Sequence, residues 1–242
     1  YPVFLKAINA TKDSDKAVYD FVDAKGKKFS QELTAIPQNE KTEWIFPYKI
    51  APLYLQKEDE PLSFSYLKQA KTVYVNFKWY PRRAEFAKFS GELFDFIDNN
   101  SVEKLVIDMR QNGGGDFTRG RDFFVKQIKE RKKFMERGRL FVIAGRVTFS
   151  AGMANTADFK NDLHAILVGE PTGARPVGYQ ENRGVSLPNS HLRLSYSIEL
   201  YKFAEQDTPG ILPDKLIEPD WKSFLAGRDE ALEWILAQPN AE

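Results

Sequence analysis

Ser150 stands in a strand-to-helix turn, Gly145-Arg146-Val147-Thr148-Phe149-Ser150-Ala151-Gly152. A hydroxyl there can act as a nucleophile, and the positive end of a helix dipole favours the negative charge that develops on attack. The plainer role for Ser150 is an N-cap, since serine is among the preferred capping residues. Upstream lies a glycine turn, Arg110-Gln111-Asn112-Gly113-Gly114-Gly115-Asp116. The amides of Gly113, Gly114 and Gly115 can approach a carbonyl oxygen closely, and the amide of Ala151 can supply a second donor. The competing role is a tight turn needed only for topology. A phosphate loop fits poorly, because Gly115 to Arg121 puts Arg121 where such a loop needs Lys, and no Ser or Thr follows. The dinucleotide spacing fails at Thr118. A third turn, Gly169-Glu170-Pro171-Thr172-Gly173-Ala174-Arg175-Pro176, lies downstream, and Tyr179 and Glu181 follow where they can line a cleft.

These motifs resemble, in order and wording, peptidase family S41, which includes the C-terminal processing and tail-specific proteases and the tricorn core. The segments that carry the resemblance are Asp108-Met109-Arg110-Gln111-Asn112-Gly113-Gly114-Gly115, Ser150-Ala151, Gly169 to Arg175, and Gly210-Ile211-Leu212-Pro213-Asp214. The resemblance covers roughly residues 70 to 220. It implies an α/β core of the ClpP/crotonase type, a mainly parallel sheet covered by helices, and hydrolysis of unfolded or C-terminal polypeptide through Ser150. It implies the oxyanion role for the first glycines of the run, and a place outside the cytoplasm of a bacterium.

The base departs from the pattern. The family's catalytic lysine falls at Arg175, 25 residues after Ser150. Arginine keeps its proton, with a pKa above about 12, so it can bind a carboxylate but cannot deprotonate a serine. Three readings stand. In the tricorn-like branch an upstream histidine is the base and an acid before Gly-x-x-Pro-Asp orients it. Asp207 holds that acid's place, and the histidine would lie before Tyr1. Alternatively His164 or His191 serves, although both read as surface residues. Or the chain has kept a cleft that binds a peptide or hydrophobic ligand and lost catalysis. The expected catalytic set is therefore Ser150, Asp207 and Arg175, and the expected oxyanion and substrate contacts are Gly113, Gly114, Ala151, Tyr179 and Glu181. Glu181 can also pair with Arg175. A crotonase-type acyl-CoA enzyme would explain the glycines but not the setting of Ser150.

The elements that must position these groups follow from periodicity. Apolar strands at 105–107, 140–143 and 165–168 precede the three turns, and Thr72 to Phe77 is a further strand rich in β formers. Pro81 opens a helix with Phe86, Phe89, Leu93, Phe96 and Ile97 on one face, stopped at Asn99-Asn100. Arg119 to Lys133 reads as a basic helix with Phe123, Phe124 and Ile128 inward, a solvated charged face. Strand-helix alternation predicts a mainly parallel sheet. Residues 1–70 read as a β-rich amino-terminal segment, with a hairpin of 17–23 and 28–33 about a turn at 24–27, and 71–242 as the peptidase core. After Pro176 the chain reads as β again through Phe203, and 229–236 as a short amphipathic helix. Asp108 and Arg110 read as an ion pair bracing the glycine turn. Trp79 and Tyr80 can contact an unfolded peptide.

Composition narrows the function classes. A net charge of +1 gives no electrostatic reason to bind nucleic acid or an anionic membrane. With no cysteine there is no disulfide, thiol nucleophile or cysteine zinc site. Two isolated histidines and scattered carboxylates make no metal spacing, so no cofactor is expected. No apolar run approaches the ~20 residues of a membrane span. A chain starting at Tyr1 without Met reads as a fragment or processed product, and no stretch offers room for a PDZ domain. The expected partner is an unfolded polypeptide or peptide; the oligomeric state stays open.

Overall fold

The structure, a computed structural model, describes residues 2–23, 25–37, 39–41, 45–48 and 50–239. They form two compact units, 1–46 and 47–242.

The smaller unit holds helix α1 (Pro2–Ala7) and the antiparallel strands β1 (Lys16–Val22) and β2 (Lys28–Thr34), paired from Lys16↔Thr34 to Val22↔Lys28. The expected hairpin is present, although Ala24 of its turn lies outside the described residues. The Asp23 carboxylate closes the turn by accepting the amides of Lys25 and Lys27 at 2.8 and 2.9 Å. Phe21 and Phe29 stack across the strands with centroids 5.4 Å apart.

The larger unit begins with β3 (Leu62–Leu67), β4 (Thr72–Phe77), α2 (Arg83–Asp98) and β5 (Lys104–Asp108). Then follow α3 (Phe117–Gly120), a π-helical turn (Arg121–Val125), α4 (Lys126–Glu130), β6 (Leu140–Ala144), α5 (Ala151–Leu163) and β7 (Ile166–Gly169). The chain ends with β8 (Val177–Ser186), β9 (Arg193–Lys202), β10 (Lys215–Leu216), α6 (Trp221–Leu225) and α7 (Glu230–Ala237). Six strands make one sheet in the order β10-β7-β6-β5-β4-β3, parallel except for β3, which runs antiparallel to β4 along its whole length. Residues 47–70, grouped by sequence with the amino-terminal segment, lie in this unit, because β3 pairs there and Leu62 enters the core.

The sheet is apolar on both faces, as a helix-covered parallel sheet requires. Period-two alternation sorts the strand side chains. Val73, Val75, Phe77, Leu105, Ile107 and Val142 join the core on one face. Tyr74, Val106, Phe141, Ile143 and Val168 join that on the other, under α7. The basic stretch from Arg119 is helical as far as Glu130, with a π turn inside it. It runs through α3, the π turn and α4, and a short 3-10 turn follows at Lys132–Met135. The π turn's extra residue shifts the inward phase, so Phe124, Val125 and Ile128 are buried while Phe123 is only partly covered. Phe124 meets Phe77 and Phe86 edge-on at 5.4 and 5.2 Å. Phe124→Ala is expected to cost about 3–5 kcal/mol in a urea unfolding titration; a loss under about 1 kcal/mol would mean that the site collapses around the smaller residue.

Because β4 to β7 are parallel, their carboxyl ends share one edge. The Trp79-Tyr80 stretch, the glycine turn, the Ser150 turn and the Gly169–Arg175 turn all leave from it. Ligand-binding groups of open α/β sheets gather at this edge.

Candidate active site

Ser150 is the residue before α5, with φ 50° and ψ −121°, and its side chain makes no capping bond. That backbone is costly for any side chain, on the order of 1–3 kcal/mol, and such strain concentrates at functional sites. Buried bonds lock the turn in place. Thr148, fully buried, donates from Oγ1 to the Met109 carbonyl at 2.8 Å and accepts the Gly145 amide at 3.0 Å. The Phe149 amide donates to the Asn112 carbonyl, and the Gly173 amide to the Thr148 carbonyl, both at 2.9 Å. The serine turn is thus bolted to the glycine turn on one side and to the Gly169–Arg175 turn on the other.

Asn112 organises the glycine turn from a fully buried position. Its Nδ2 donates to the Phe77 carbonyl at 3.2 Å, and its Oδ1 accepts the Gly114 amide at 3.1 Å. Gly114 adopts φ 116°, and a Cβ there would stand 2.8 Å from Ser150 Cβ and 3.3 Å from its Oγ. Of the two glycines singled out by sequence, Gly114 is the one against Ser150, yet its amide is engaged by Asn112. Around Gly113 an added Cβ would meet open space. Ala151 opens α5, so its amide belongs to the first turn, whose N–H groups have no acceptor within the helix. Gly114→Ala would combine a left-handed φ with a clash against Ser150. We expect about 1–3 kcal/mol of lost stability, measured by thermal unfolding; an unchanged midpoint would mean that the turn re-forms around the methyl.

Tyr80 ties the same corner together. Its ring lies where a Cβ on Gly115 would come within 2.6 Å. Its hydroxyl reaches the Ala151 carbonyl at 2.9 Å and Asn155 Oδ1 at 2.5 Å. Burial, with the nearby Asp158 and Asp116 charges, pushes this phenol well above its usual range, so it remains a donor. Asn112, Thr148 and Asn155 were not singled out by sequence reasoning. Each is a buried polar side chain: Asn112 and Thr148 bond backbone atoms, and Asn155 bonds the Tyr80 hydroxyl, the Phe117 carbonyl and Asp158 Oδ2.

A cleft of about 620 Å³ runs from Ser150 past Gly115, Arg175, Tyr179, Glu181 and Asn182. Arg175 does not pair with Glu181. Its Nε and Nη2 donate to Asp207 Oδ1 and Oδ2 at 3.0 and 2.5 Å. Hydrogen bonding to Asp207 and its charge raise the Arg175 pKa further, which removes it from proton transfer. His164 is the left-handed C-cap of α5, φ 56°. A helix of that length puts it about 20 Å from Ser150. His191 lies in the turn between β8 and β9 and is exposed. Neither lines the cleft.

Asp108 and Arg110 form the expected brace, extended by Asp229. Arg110 Nη2 is 2.5 Å from both Asp108 Oδ2 and Asp229 Oδ2, and the Tyr74 hydroxyl donates to Asp108 Oδ2 at 2.6 Å. No group of three or more metal-ligating side chains is found among the described residues, and no described helix is long and apolar enough to cross a membrane.

A mostly parallel, helix-flanked sheet with a serine turn at its carboxyl edge defines an α/β protein. The chain belongs to Peptidase family S41, whose sequence pattern residues 71–220 match. Its fold is that of S41 protease structures. The photosystem II D1 C-terminal processing protease is 17% identical with a TM-score of 0.50, the match covering 89% of this chain and 60% of that one. A candidate peptidase of Parabacteroides merdae is 19% identical with a TM-score of 0.54, covering 79% of this chain and 66% of that one. The chain therefore spans 60% and 66% of the lengths of these two structures. Comparison with curated proteins gives no match.

Proposed function

We propose that this chain is the core of a serine endopeptidase in which Ser150 attacks the peptide carbonyl. The observation that carries the reading is the strained, uncapped Ser150, held against Gly114 at the mouth of a cleft. A merely capping serine would accept a helix N–H and would not need φ 50°. The Ala151 amide is the first oxyanion donor. An amide of the glycine turn, Gly113 in preference to the engaged Gly114, is the second, set about 3 Å from the developing charge.

Of the titratable groups lining the cleft, Arg175 cannot accept a proton, Tyr179 is a phenol, and Glu181 is a weak base. The reading therefore takes its base from a histidine outside these 242 residues. Asp207 orients that histidine through the carboxylate lone pairs left over from the fork to Arg175. The substrate is unfolded or C-terminal polypeptide laid in the cleft as an extended strand. Kinship with ClpP and crotonases and a location outside the cytoplasm are parts of the same proposal and rest on the family resemblance.

Casein hydrolysis is the test, by these 242 residues and by a longer chain carrying upstream sequence. Cleavage by the longer chain alone supports the external base. Cleavage by both retains the peptidase and sinks the external base. Cleavage by neither, with both folded, sinks the peptidase reading and favours a cleft that only binds.

A further inference from the structure

We propose that Arg175, held in plane by Asp207, is a carboxylate-binding subsite of the Ser150 cleft. It would take a terminal or side-chain carboxylate of a bound peptide. The inference rests on the reading of the cleft as a peptide site and adds what that peptide must carry. Arg175 and Ser150 line the same cleft, in which the charged lining residues are Arg175 and Glu181. The fork to Asp207 is side-on and uses Nε and one N–H of Nη2. A guanidinium has five N–H donors, so the end-on edge formed by Nη1 and Nη2 keeps the spacing that grips a second carboxylate two-pronged. The Arg175 side chain is 64% exposed and that of Asp207 44%, so the edge is reachable. An exposed ion pair contributes little stability. Its effect here is orientation: Asp207 fixes the guanidinium plane, so less side-chain entropy is lost when a ligand binds. A residue that cannot be a base is thereby suited to anchoring an anion.

Binding is measured with the Ser150→Ala chain, so that nothing is cleaved, using fluorescently labelled Ala-Ala-Tyr-Leu-Ala as the free acid and as the C-terminal amide. The free acid is expected to bind about tenfold tighter, the scale of one charge-assisted bond. The preference should vanish in Arg175→Gln and be only partly kept in Arg175→Lys, which retains the charge without the fork. A third probe, the amide Ala-Ala-Tyr-Leu-Asp, separates the sources. If it binds as tightly as the free acid, a side chain suffices; if it binds like the first amide, the terminus is read. Equal binding of acid and amide, or a preference that survives Arg175→Gln, overturns the subsite and leaves the cleft as a peptide site. No binding by any of the three overturns the subsite and the peptide-site reading together.

Discussion

Replacing Ser150 by glycine is expected to make this protein more stable while abolishing the proposed hydrolysis. At φ 50° and ψ −121° a side chain is held in a sparsely populated region, at a cost on the order of 1–3 kcal/mol. Glycine reaches that region freely and gives back part of the gain, because its unfolded chain is more flexible by about 0.4–1 kcal/mol. The hydroxyl contributes no capping bond that would be lost. The net expectation is a stabilisation of about 1 kcal/mol. Removing a serine nucleophile costs on the order of 10⁶-fold in kcat, the remainder coming from binding and oxyanion donors. Ser150→Ala should lose the same activity without the stability, since alanine keeps the strain. Thermal unfolding and casein hydrolysis of the three proteins, in whichever chain is active, separate the roles. A structural serine would show the opposite pattern, with glycine destabilising the fold and sparing the activity.

The sheet was legible because its strands are apolar on both faces and its helices carry a one-sided apolar stripe. The runs at 105–107, 140–143 and 165–168 became β5, β6 and β7 within a residue or two. The helix opened by Pro81 became α2, with Phe86, Leu93 and Ile97 buried. The positions of Ser150, Gly114 and Arg175 at one edge followed from reading those strands as parallel. Other features had no local signal. β3 follows a proline-broken stretch, and what fixes it is the register with β4, from Leu62↔Phe77 to Leu67↔Thr72. The π turn depends on a single added residue in a helical run that periodicity reads as continuous. The fork from Arg175 to Asp207 joins residues 32 apart, and Glu181, nearer in sequence, was the natural guess. Asn112, Thr148 and Asn155 look like ordinary polar residues in the sequence. Only burial makes their hydrogen bonds obligatory, and burial is set by the packed fold.

The same logic identifies Arg110 as a side chain whose removal costs the fold heavily. Burial opposes its charge, but the Coulombic pull of Asp108 and Asp229 and the bonds to both hold its pKa well above the usual arginine range. Its guanidinium also lies over the Tyr54 ring, 4.0 Å from the centroid. Asp229 is at the same time the N-cap of α7, accepting the Leu232 amide at 3.2 Å, so Arg110 ties the end of β5 to that helix. Arg110→Met would keep much of the apolar volume and leave two carboxylates, 1% and 8% exposed, without their cation. The expected loss is about 3–5 kcal/mol, because breaking a buried pair from one side strands the charges that remain. Adding Asp108→Asn and Asp229→Asn to Arg110→Met removes those charges and should recover part of the loss, a coupling that urea titrations of single and combined variants measure directly. The Asp108 carboxylate also receives the Arg110 amide at 3.0 Å at the first step of the glycine turn. On the proposed mechanism a folded Arg110→Met protein should therefore hydrolyse more slowly even though Arg110 does not line the Ser150 cleft. A loss of stability below about 1 kcal/mol would show that water reaches the two carboxylates and that the brace is weaker than its burial implies.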